Sequence, residues 1–191
     1  MVQVSDCIVC IVGFPGVGKL TIARALSRLT GAVVVDNHWI NDPILKLVTN
    51  DDSTAAPEAV WPLVAKVREA VLETIAALGP PGTSYIFTYA GADEDPGDRK
   101  ALQEYREVAI RRNSRFIPVR ALCSEEESIK RIQSFERRGK KLTAPDETIE
   151  NFRNYTPLDP RMPDTLTLDV TNLSAEEAAL AIVAHIGSTN A

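Results

Sequence analysis

The chain has 191 residues, enough for one domain that buries most of its apolar surface without disulfides or a structural metal. Its 21 basic and 26 acidic residues give a formal net charge of −5, which argues against nonspecific binding to nucleic acids or anionic membranes as the main activity. The sequence contains no apolar run long enough to span a bilayer and no secretory signal at its amino end, so we expect a cytoplasmic protein.

The three cysteines indicate free thiols rather than a disulfide framework in a chain of this length. Cys7 and Cys10 have the spacing of a metal or redox pair. In an extended strand, however, residues at this spacing point to opposite faces and lie roughly 10 Å apart. We therefore expect both cysteines to be core residues.

The first predicted element is a strand at residues 7–12, which is apolar throughout, as in strands buried on both faces. It leads into a glycine-rich loop and the start of a helix, Gly13-Phe14-Pro15-Gly16-Val17-Gly18-Lys19-Leu20-Thr21. A strand, loop and helix in this order bind phosphate, because backbone N–H groups converge on phosphate oxygens and the helix amino end adds positive potential. Lys19 can reach the β- and γ-phosphates, so the predicted ligand is a nucleoside triphosphate.

Leu20 departs from the usual form of this loop, in which a Ser or Thr hydroxyl follows the lysine and binds Mg²⁺. Thr21 comes one position later, an arrangement like that of the adenylate kinase loop. We therefore expect phosphates and water to hold Mg²⁺, with help from Thr21.

The remaining chain alternates between strand and helix patterns. Further strands are predicted at residues 32–36, 85–89, 116–122 and 165–170. Helices are predicted at residues 39–49, 57–78, 98–113, 124–138 and 174–186, with a short helix near 145–153. Ser174 and Glu177 have the spacing of a capping box at the start of the last helix. This alternation predicts a parallel sheet with helices on both faces.

Asp36 ends the second predicted strand, and nucleotide sites in open parallel sheets lie beyond the carboxyl ends of the strands. Its carboxylate can take a proton from a substrate hydroxyl, orient that hydroxyl for in-line attack, or hold a water of Mg²⁺. The sequence does not separate these roles, and capping of the next helix is an alternative. His38 is a candidate to bind substrate or act as a base, with a local structural hydrogen bond as its alternative.

The phosphate acceptor is expected to bind to residues 37–61, where Trp39 is the aromatic side chain that we expect to line the pocket. The loop after the third strand has no acidic residue directly at the strand end, so the usual Walker B carboxylate is missing. Asp36 or Asp93 is expected to support the metal in its place. Asn172, in the loop after the fifth strand, is expected to border the adenine ring.

A basic cluster precedes the fifth strand in a chain that is acidic overall, and it comprises Lys130, Arg131, Arg137, Arg138, Lys140 and Lys141. Arginines at such a site can neutralise the transferring phosphoryl group or stack on adenine, and Gly139 can act as a hinge. We therefore predict a lid at residues 130–145, with Arg137 in a catalytic role and Arg131 and Arg138 on the nucleotide. The alternative for this cluster is a solvated helix face balanced by nearby glutamates. For another basic stretch, which contains Arg111 and Arg112, we expect such a solvated face.

The phosphate loop, Asp36 and the arginine-rich segment together resemble the small P-loop kinases, in particular the branch of shikimate kinase, gluconate kinase and chloramphenicol phosphotransferase, often labelled AAA-type ATPases. The resemblance implies one three-layer α/β domain, residues 1–191, with the P-loop NTPase fold and a five-stranded parallel sheet in the order 2-3-1-4-5. It also implies that ATP with Mg²⁺ donates its γ-phosphate to a small hydroxyl compound. The DGxPR segment of nucleoside monophosphate kinases and the GGG segment of shikimate kinases are both absent, so the resemblance does not identify the phosphate acceptor.

The leading hypothesis is an ATP-dependent phosphotransferase that acts on a small hydroxyl-bearing molecule as a monomer or homodimer, without nucleic-acid or membrane partners. A nucleoside or nucleotide kinase is the alternative within the same class. An ATP-binding regulatory protein with little or no kinase activity is the alternative from another class, and Leu20 and the missing strand-end carboxylate favour it.

Overall fold

Five parallel strands form the centre of the fold in this computed structural model, which describes residues 6–48, 56–133, 150 and 153–188. They are β1 (Cys7–Val12), β2 (Val33–Val35), β3 (Tyr85–Tyr89), β4 (Arg115–Leu122) and β5 (Leu166–Asp169). Their order in the sheet is β2-β3-β1-β4-β5, and each neighbouring pair is parallel. The predicted sheet and its strand order are confirmed.

Helices cover both faces of this sheet. In chain order they are α1 (Lys19–Thr30), α2 (Asn37–Val48), α3 (Trp61–Leu78), α4 (Pro96–Arg111), α5 (Glu125–Gln133) and α6 (Ala175–Ser188). The buried residues of α1 and α6 belong to the core on one face, and those of α4, together with Leu72 and Ile75 of α3, belong to the core on the other. The result is the expected three-layer α/β arrangement. Within the described residues, no helix combines the length and the apolar character needed to cross a membrane.

The central strand β1 contributes to both cores because successive side chains of a strand point to opposite faces. Cys7 lies in the core beneath α1 and α6, whereas Cys10 lies in the core beneath α3 and α4. Cys7 and Cys10 are buried and form no disulfide, as the sequence predicts, and burial raises the pKa of each thiol. These cysteines therefore fill the core rather than form a metal or redox pair.

Several helices begin or end away from their predicted limits. The structure begins α2 at Asn37 rather than at residue 39, and it begins α4 at Pro96 rather than at residue 98. Proline suits the first turn of α4 because its missing N–H has no helical partner there, and Asp95 accepts a hydrogen bond from the Gly97 N–H at 2.7 Å. The predicted short helix near 145–153 lies largely outside the described residues.

The predicted capping box at the start of α6 is confirmed. The Ser174 N–H donates to Glu177 Oε2 at 2.8 Å, and the Glu177 N–H donates in return to Ser174 Oγ at 3.2 Å. Each side chain thus satisfies a backbone donor that the helix leaves without a partner.

Arg112 has a structural role, and the expectation of a solvated side chain is wrong for this residue. Its guanidinium donates to the carbonyl oxygens of Ile75 at 2.7 Å and Gly79 at 3.0 Å, and it also reaches those of Pro80 and Thr83. The last carbonyls of a helix have no intrahelical donor, and α3 ends at Leu78. Arg112 therefore caps the carboxyl end of α3 from the neighbouring chain segment.

Candidate active site

The loop between β1 and α1 passes close to two other elements. Gly16 and Gly18 have φ angles of 91° and 96°, in the left-handed region that glycine adopts readily. A Cβ atom at Gly16 would also lie 2.8 Å from the carbonyl oxygen of Ser128, and one at Gly13 would lie 2.4 Å from that of Ala121. Both the conformation of this loop and its packing against β4 and α5 thus require glycine.

Lys19 folds its side chain back over the start of the loop. Its Nζ atom donates to the carbonyl oxygens of Gly13 at 2.7 Å and Phe14 at 2.8 Å. Charge-assisted hydrogen bonds to an anion are stronger than bonds to neutral carbonyls. A phosphate bound in the loop would therefore compete well for this ammonium group.

Asp36 is held at the carboxyl end of the sheet by a residue of the neighbouring strand. The Thr88 hydroxyl donates to Asp36 Oδ1 at 2.7 Å and accepts from the Asn37 N–H at 3.0 Å. Asp36 is only 8% exposed, and β3 separates its strand from β1 and the phosphate loop. The carboxylate is therefore fixed at the same edge of the sheet as that loop.

The sequence interpretation missed Thr88. The register pairs Val35 of β2 with Phe87 of β3, so the next residue of each strand, Asp36 and Thr88, becomes a neighbour. Thr88, the penultimate residue of β3, thus places a hydroxyl near the end of the strand that lacks a Walker B acid. The strand order places β2 beside β3, but the register between them is also needed to show that Asp36 and Thr88 are neighbours.

His38 and Asp42 form a pair one helical turn apart on α2. His38 Nδ1 lies 2.9 Å from Asp42 Oδ1, and Lys46 lies 2.7 Å from the other oxygen of Asp42. Burial alone would raise the pKa of Asp42, but hydrogen bonds from Lys46 and His38 outweigh it and lower that pKa. One ring nitrogen of His38 thus has a local partner, and Nε2 is the nitrogen that remains for a ligand.

Trp39 lies on the same helix with 62% of its surface exposed, and Trp61 at the start of α3 is 48% exposed. Thr21 is also exposed, on the first turn of α1. Thr21 and Trp39 lie on helices that begin at the carboxyl edge of the sheet, so both side chains are accessible to a ligand there, whereas Tyr89 is buried in the core.

Asp93 accepts three hydrogen bonds within the protein, so its proposed support of a metal is not favoured. Its carboxylate lies 2.6 Å from an Arg99 nitrogen and 2.7 Å from an Arg161 nitrogen, and it accepts the Asp159 N–H at 2.8 Å. These bonds hold the loop after β3 against residues 157–161. Asp36 is therefore the better candidate for a carboxylate that acts in the site.

A second interaction that the sequence did not indicate organises the same loop. Tyr89 donates its hydroxyl to Asp98 Oδ1 at 2.6 Å, and the Ala92 N–H donates to Asp98 Oδ2 at 2.7 Å. Burial raises the pKa of Asp98 despite these two bonds. Burial also raises the pKa of Tyr89, and the neighbouring Asp98 adds to that rise. The Tyr89 hydroxyl therefore remains protonated and acts as the donor that ties α4 to the end of β3.

Arg131 contacts the phosphate loop and the loop after β5 at the same time. Its guanidinium donates to the carbonyl oxygens of Val17, Val170 and Thr171. Asn172, the predicted neighbour of adenine, is exposed in the turn that follows. Arg137 and Arg138 lie outside the described residues, as does the predicted lid from residue 134 onward.

Solved structures with this fold include several kinases. A presumed kinase from Chloroflexus aurantiacus J-10-fl is 19% identical with a TM-score of 0.66, and the match covers 98% of this chain and 99% of that one. A gluconokinase from Sinorhizobium meliloti 1021 is 16% identical, with a TM-score of 0.62 and 96% and 92% of the two chains covered. A shikimate kinase from Acinetobacter baumannii in complex with shikimate is 18% identical, with a TM-score of 0.59 and coverage of 98% and 96%.

At these identities the likeness establishes the fold, and the fold is the one implied by the resemblance to small P-loop kinases. The sequence itself matches no protein-family model and no curated protein. The chemistry must therefore be argued from the residues of this site.

Proposed function

We propose that this chain is an ATP-dependent phosphotransferase that moves the γ-phosphate to a hydroxyl group of a small molecule, with residues 1–191 acting as one kinase domain. The observation that carries the proposal is the position of Lys19 and Asp36 at the same edge of the sheet, with Asp36 held by Thr88. In-line phosphoryl transfer needs a cation on the phosphates and a group that orients the attacking hydroxyl. Lys19 and Asp36 are suited to these two tasks.

Lys19 would exchange the carbonyl oxygens of Gly13 and Phe14 for the β- and γ-phosphates. The N–H groups of the glycine loop and of the first turn of α1 would bind the remaining phosphate oxygens. Asp36 would accept a hydrogen bond from the acceptor hydroxyl and hold it in line with the γ-phosphate. Arg137 and Arg138 are proposed to neutralise charge on the group in transfer.

The oxygen atoms of Asp36 and Thr21 fit a magnesium ion, because Mg²⁺ prefers hard oxygen ligands and retains several waters. Phosphate oxygens and water would complete the coordination, with Asp36 reached directly or through a water. When bound, Mg²⁺ neutralises charge on the β- and γ-phosphates. Leu20 contributes no oxygen ligand, so Thr21 is the hydroxyl to test.

The acceptor is proposed to bind beside α2, where His38 and Trp39 are accessible. His38 Nε2 would bind a polar group of the acceptor, and Trp39 would cover an apolar part of it. The acceptor panel should begin with gluconate and shikimate, because a gluconokinase and a shikimate kinase have the same fold. The panel should also contain nucleosides, sugars and hydroxylated antibiotics, because a nucleoside kinase remains the alternative within the class.

The decisive experiment compares ADP release from Mg·ATP by the wild-type protein and by a Lys19→Met variant, with and without each acceptor. We expect an acceptor-dependent rate that falls at least about a thousandfold in the variant, because one charged contact in the transition state is lost. Lys100→Met removes an exposed lysine of α4 and is the matched control. Undiminished turnover in the Lys19 variant would sink the proposal.

A regulatory ATP-binding protein is the second candidate, because Leu20 stands where a hydroxyl ligand of Mg²⁺ is usual and no acidic residue directly follows β3. A regulatory role predicts that ATP binding depends on Lys19 and that no phosphate is transferred to any acceptor. Binding measured separately from turnover distinguishes the two.

A further inference from the structure

We infer that Arg131 is a positioning residue that joins the phosphate half of the nucleotide site to the base half, and so makes the site prefer a nucleotide over bare polyphosphate. This inference rests on the proposed function, since it assumes that phosphates bind in the glycine loop and the base near residues 170–172. It assigns Arg131 a role through the backbone rather than the direct nucleotide contact that the sequence suggested.

The contacts of Arg131 span the two loops. Its Nη1 atom donates to the carbonyl oxygen of Val17 at 3.0 Å, within the glycine loop. Its Nη2 atom donates to the carbonyl oxygens of Val170 at 2.9 Å and Thr171 at 3.1 Å, at the end of β5. The planar guanidinium presents these donors in a fixed geometry, so it sets the spacing of the two loops.

Glu127 holds the guanidinium in this orientation. Its Oε1 atom accepts from Arg131 Nε at 2.9 Å, and its other oxygen lies 3.2 Å from the Lys130 ammonium. Hydrogen bonds from Lys130 and Arg131 lower the pKa of Glu127, so this carboxylate is ionised at neutral pH. Arg131 therefore keeps its orientation without a ligand, which reduces the entropy lost when a nucleotide binds.

The helix that carries Arg131 lies directly against the glycine loop. A Cβ atom at Gly16 would come within 2.8 Å of the Ser128 carbonyl and within 3.1 Å of the Ile132 side chain. Ser128 and Ile132 are buried on either side of Arg131 in sequence. The packing of Ser128 and Ile132 thus sets the position of α5, the helix from which Arg131 extends.

The base-side loop is also attached to α5. Thr171 donates both its N–H and its hydroxyl to Asp169 Oδ1, and the Thr171 hydroxyl accepts from the Ser124 N–H at 2.9 Å. These bonds shape the loop locally and tie it to the start of α5. Arg131 adds the direct link from this loop to Val17 across the site.

The bond to Val17 bears on phosphate binding through the planarity of the peptide. A trans peptide directs its C=O and N–H in opposite directions. When Arg131 fixes the Val17 carbonyl toward α5, the Gly18 N–H of the same peptide is directed away from α5, and we assign that N–H to the phosphates. Loss of Arg131 should therefore weaken phosphate binding somewhat and base binding more.

The test compares the binding of Mg·ATP and of inorganic tripolyphosphate with Mg²⁺ by titration calorimetry, in the wild-type protein and in Arg131→Met. A lost hydrogen bond to a charged group is worth about 10–100-fold in affinity. We expect the variant to lose about 30-fold or more for ATP and about 3–5-fold for tripolyphosphate. Preference for the nucleotide over tripolyphosphate would thus fall about tenfold.

Two further variants test whether the effect of Arg131 comes from its planar guanidinium, from its positive charge or from a general effect of removing an arginine. Arg131→Lys keeps the positive charge but loses the planar fork, so it should resemble Arg131→Met in its loss of preference for ATP. Arg28→Met removes an arginine of α1 that is paired with Glu176 at 2.7 Å, and both affinities should stay within about twofold. Melting of each ligand-free variant establishes that it is folded.

Equal losses for ATP and tripolyphosphate in Arg131→Met would overturn the inference in favour of a direct phosphate contact. A loss confined to ATP would overturn it in favour of a contact with the base alone, and full affinity in Arg131→Lys would assign the effect to charge. Normal binding without transfer to any acceptor would instead count against the proposed function while leaving the role of Arg131 intact. Wild-type protein that bound neither ligand would overturn both.

Discussion

The Thr88 hydroxyl makes two hydrogen bonds that fix the start of α2 relative to the sheet. It donates to Asp36 and accepts from the N–H of Asn37, so one side chain of β3 holds both the carboxylate that ends β2 and the first residue of the helix. A hydroxyl suits this position because it donates and accepts at the same time. The orientation of the Asp36 carboxylate, which we propose to be catalytic, therefore depends on Thr88, a neutral residue of the neighbouring strand.

Thr88→Val should lower kcat about tenfold or more and change the KM for ATP little, because Asp36 loses its fixed orientation while the phosphate loop is untouched. The valine also leaves the Asn37 N–H without its partner, so the free energy of unfolding should fall by about 1–2 kcal/mol. Thr88→Ser restores the hydroxyl and is the control. Steady-state kinetics together with urea unfolding test both effects, and kcat within twofold of wild type in the valine variant would remove Thr88 from the site.

His38 allows a separate test, because its pair with Asp42 is compatible with a purely structural role. If Nε2 binds the acceptor, His38→Ala should lower kcat/KM for the acceptor about tenfold or more and leave the KM for ATP unchanged. Asp42→Asn, which keeps a hydrogen-bonding side chain beside His38, should have a smaller effect on the same constant. Equal kcat/KM for the acceptor in the alanine variant and wild type would leave His38 with its local hydrogen bond alone.

At the scale of elements, α3 depends on an arginine from the end of another helix. Arg112 follows α4 and donates to four carbonyl oxygens at and beyond the end of α3, and its guanidinium also lies 5.2 Å from the centre of the Tyr85 ring. This arrangement fixes the turn that leads from α3 into β3. Because β3 carries Thr88, the cap of α3 contributes indirectly to the geometry of the site.

Arg112→Met should therefore lower the free energy of unfolding by about 2–4 kcal/mol, since the carbonyls of Ile75, Gly79 and Thr83 lose a charged donor in part-buried hydrogen bonds. The neighbouring Arg111 is the matched control because it pairs with Glu73 on the surface, where 42% and 57% of the two side chains are exposed. Arg111→Met should lower the free energy of unfolding much less, because an ion pair exposed to solvent contributes little. Urea unfolding at pH 7 measures both, and equal losses would contradict the capping role of Arg112.

The elements differed in how well the sequence predicted them. The strands were predicted well because β1 is a continuous apolar run and β3 is apolar except for Thr88. The loop after β1 was recognised because glycines and a lysine occur at a characteristic spacing. The start of α4 was misplaced because its first two residues, Pro96 and Gly97, have low helical propensity, and Asp95 caps them. The role of Arg112 could not be predicted, because its acceptors are backbone carbonyls that carry no sequence signal.

For the molecule as a whole, contacts between distant residues hold the carboxyl edge of the sheet together. Residues 157–161 pack along the loop after β3, where Pro157 pairs with Ala92 and the Leu158 N–H donates to Gly91. Arg120 of β4 donates to the carbonyl of Pro157 at 2.8 Å, and it also lies 3.2 Å from the Asp159 carboxylate. This segment thus connects β3 and β4 on either side of β1, the strand that leads into the phosphate loop.

Asp93 is the centre of this connection, and its ion pairs give it a defined pH dependence. Burial alone would raise its pKa, but hydrogen bonds from the Asp159 N–H and Arg161 and the charge of Arg99 outweigh burial and lower the pKa. The folded-state pKa thus lies below the unfolded value of about 3.9. The ionised carboxylate therefore stabilises the fold above about pH 4, and this stabilisation is lost as the pH falls through the folded-state pKa.

Asp93→Asn should lower the free energy of unfolding by about 1–3 kcal/mol at pH 7, because the side chain is only 12% exposed and two arginines lose their partner. The difference from wild type should stay constant from pH 7 to about pH 5 and shrink below about pH 4, where protonation of Asp93 weakens the same contacts in the wild-type protein. Glu69→Gln neutralises an exposed carboxylate of α3 and is the control. Urea unfolding at several values between pH 7 and pH 3 measures these differences. A difference that persisted unchanged to pH 3 would show that Asp93 stabilises this edge through packing rather than through its charge.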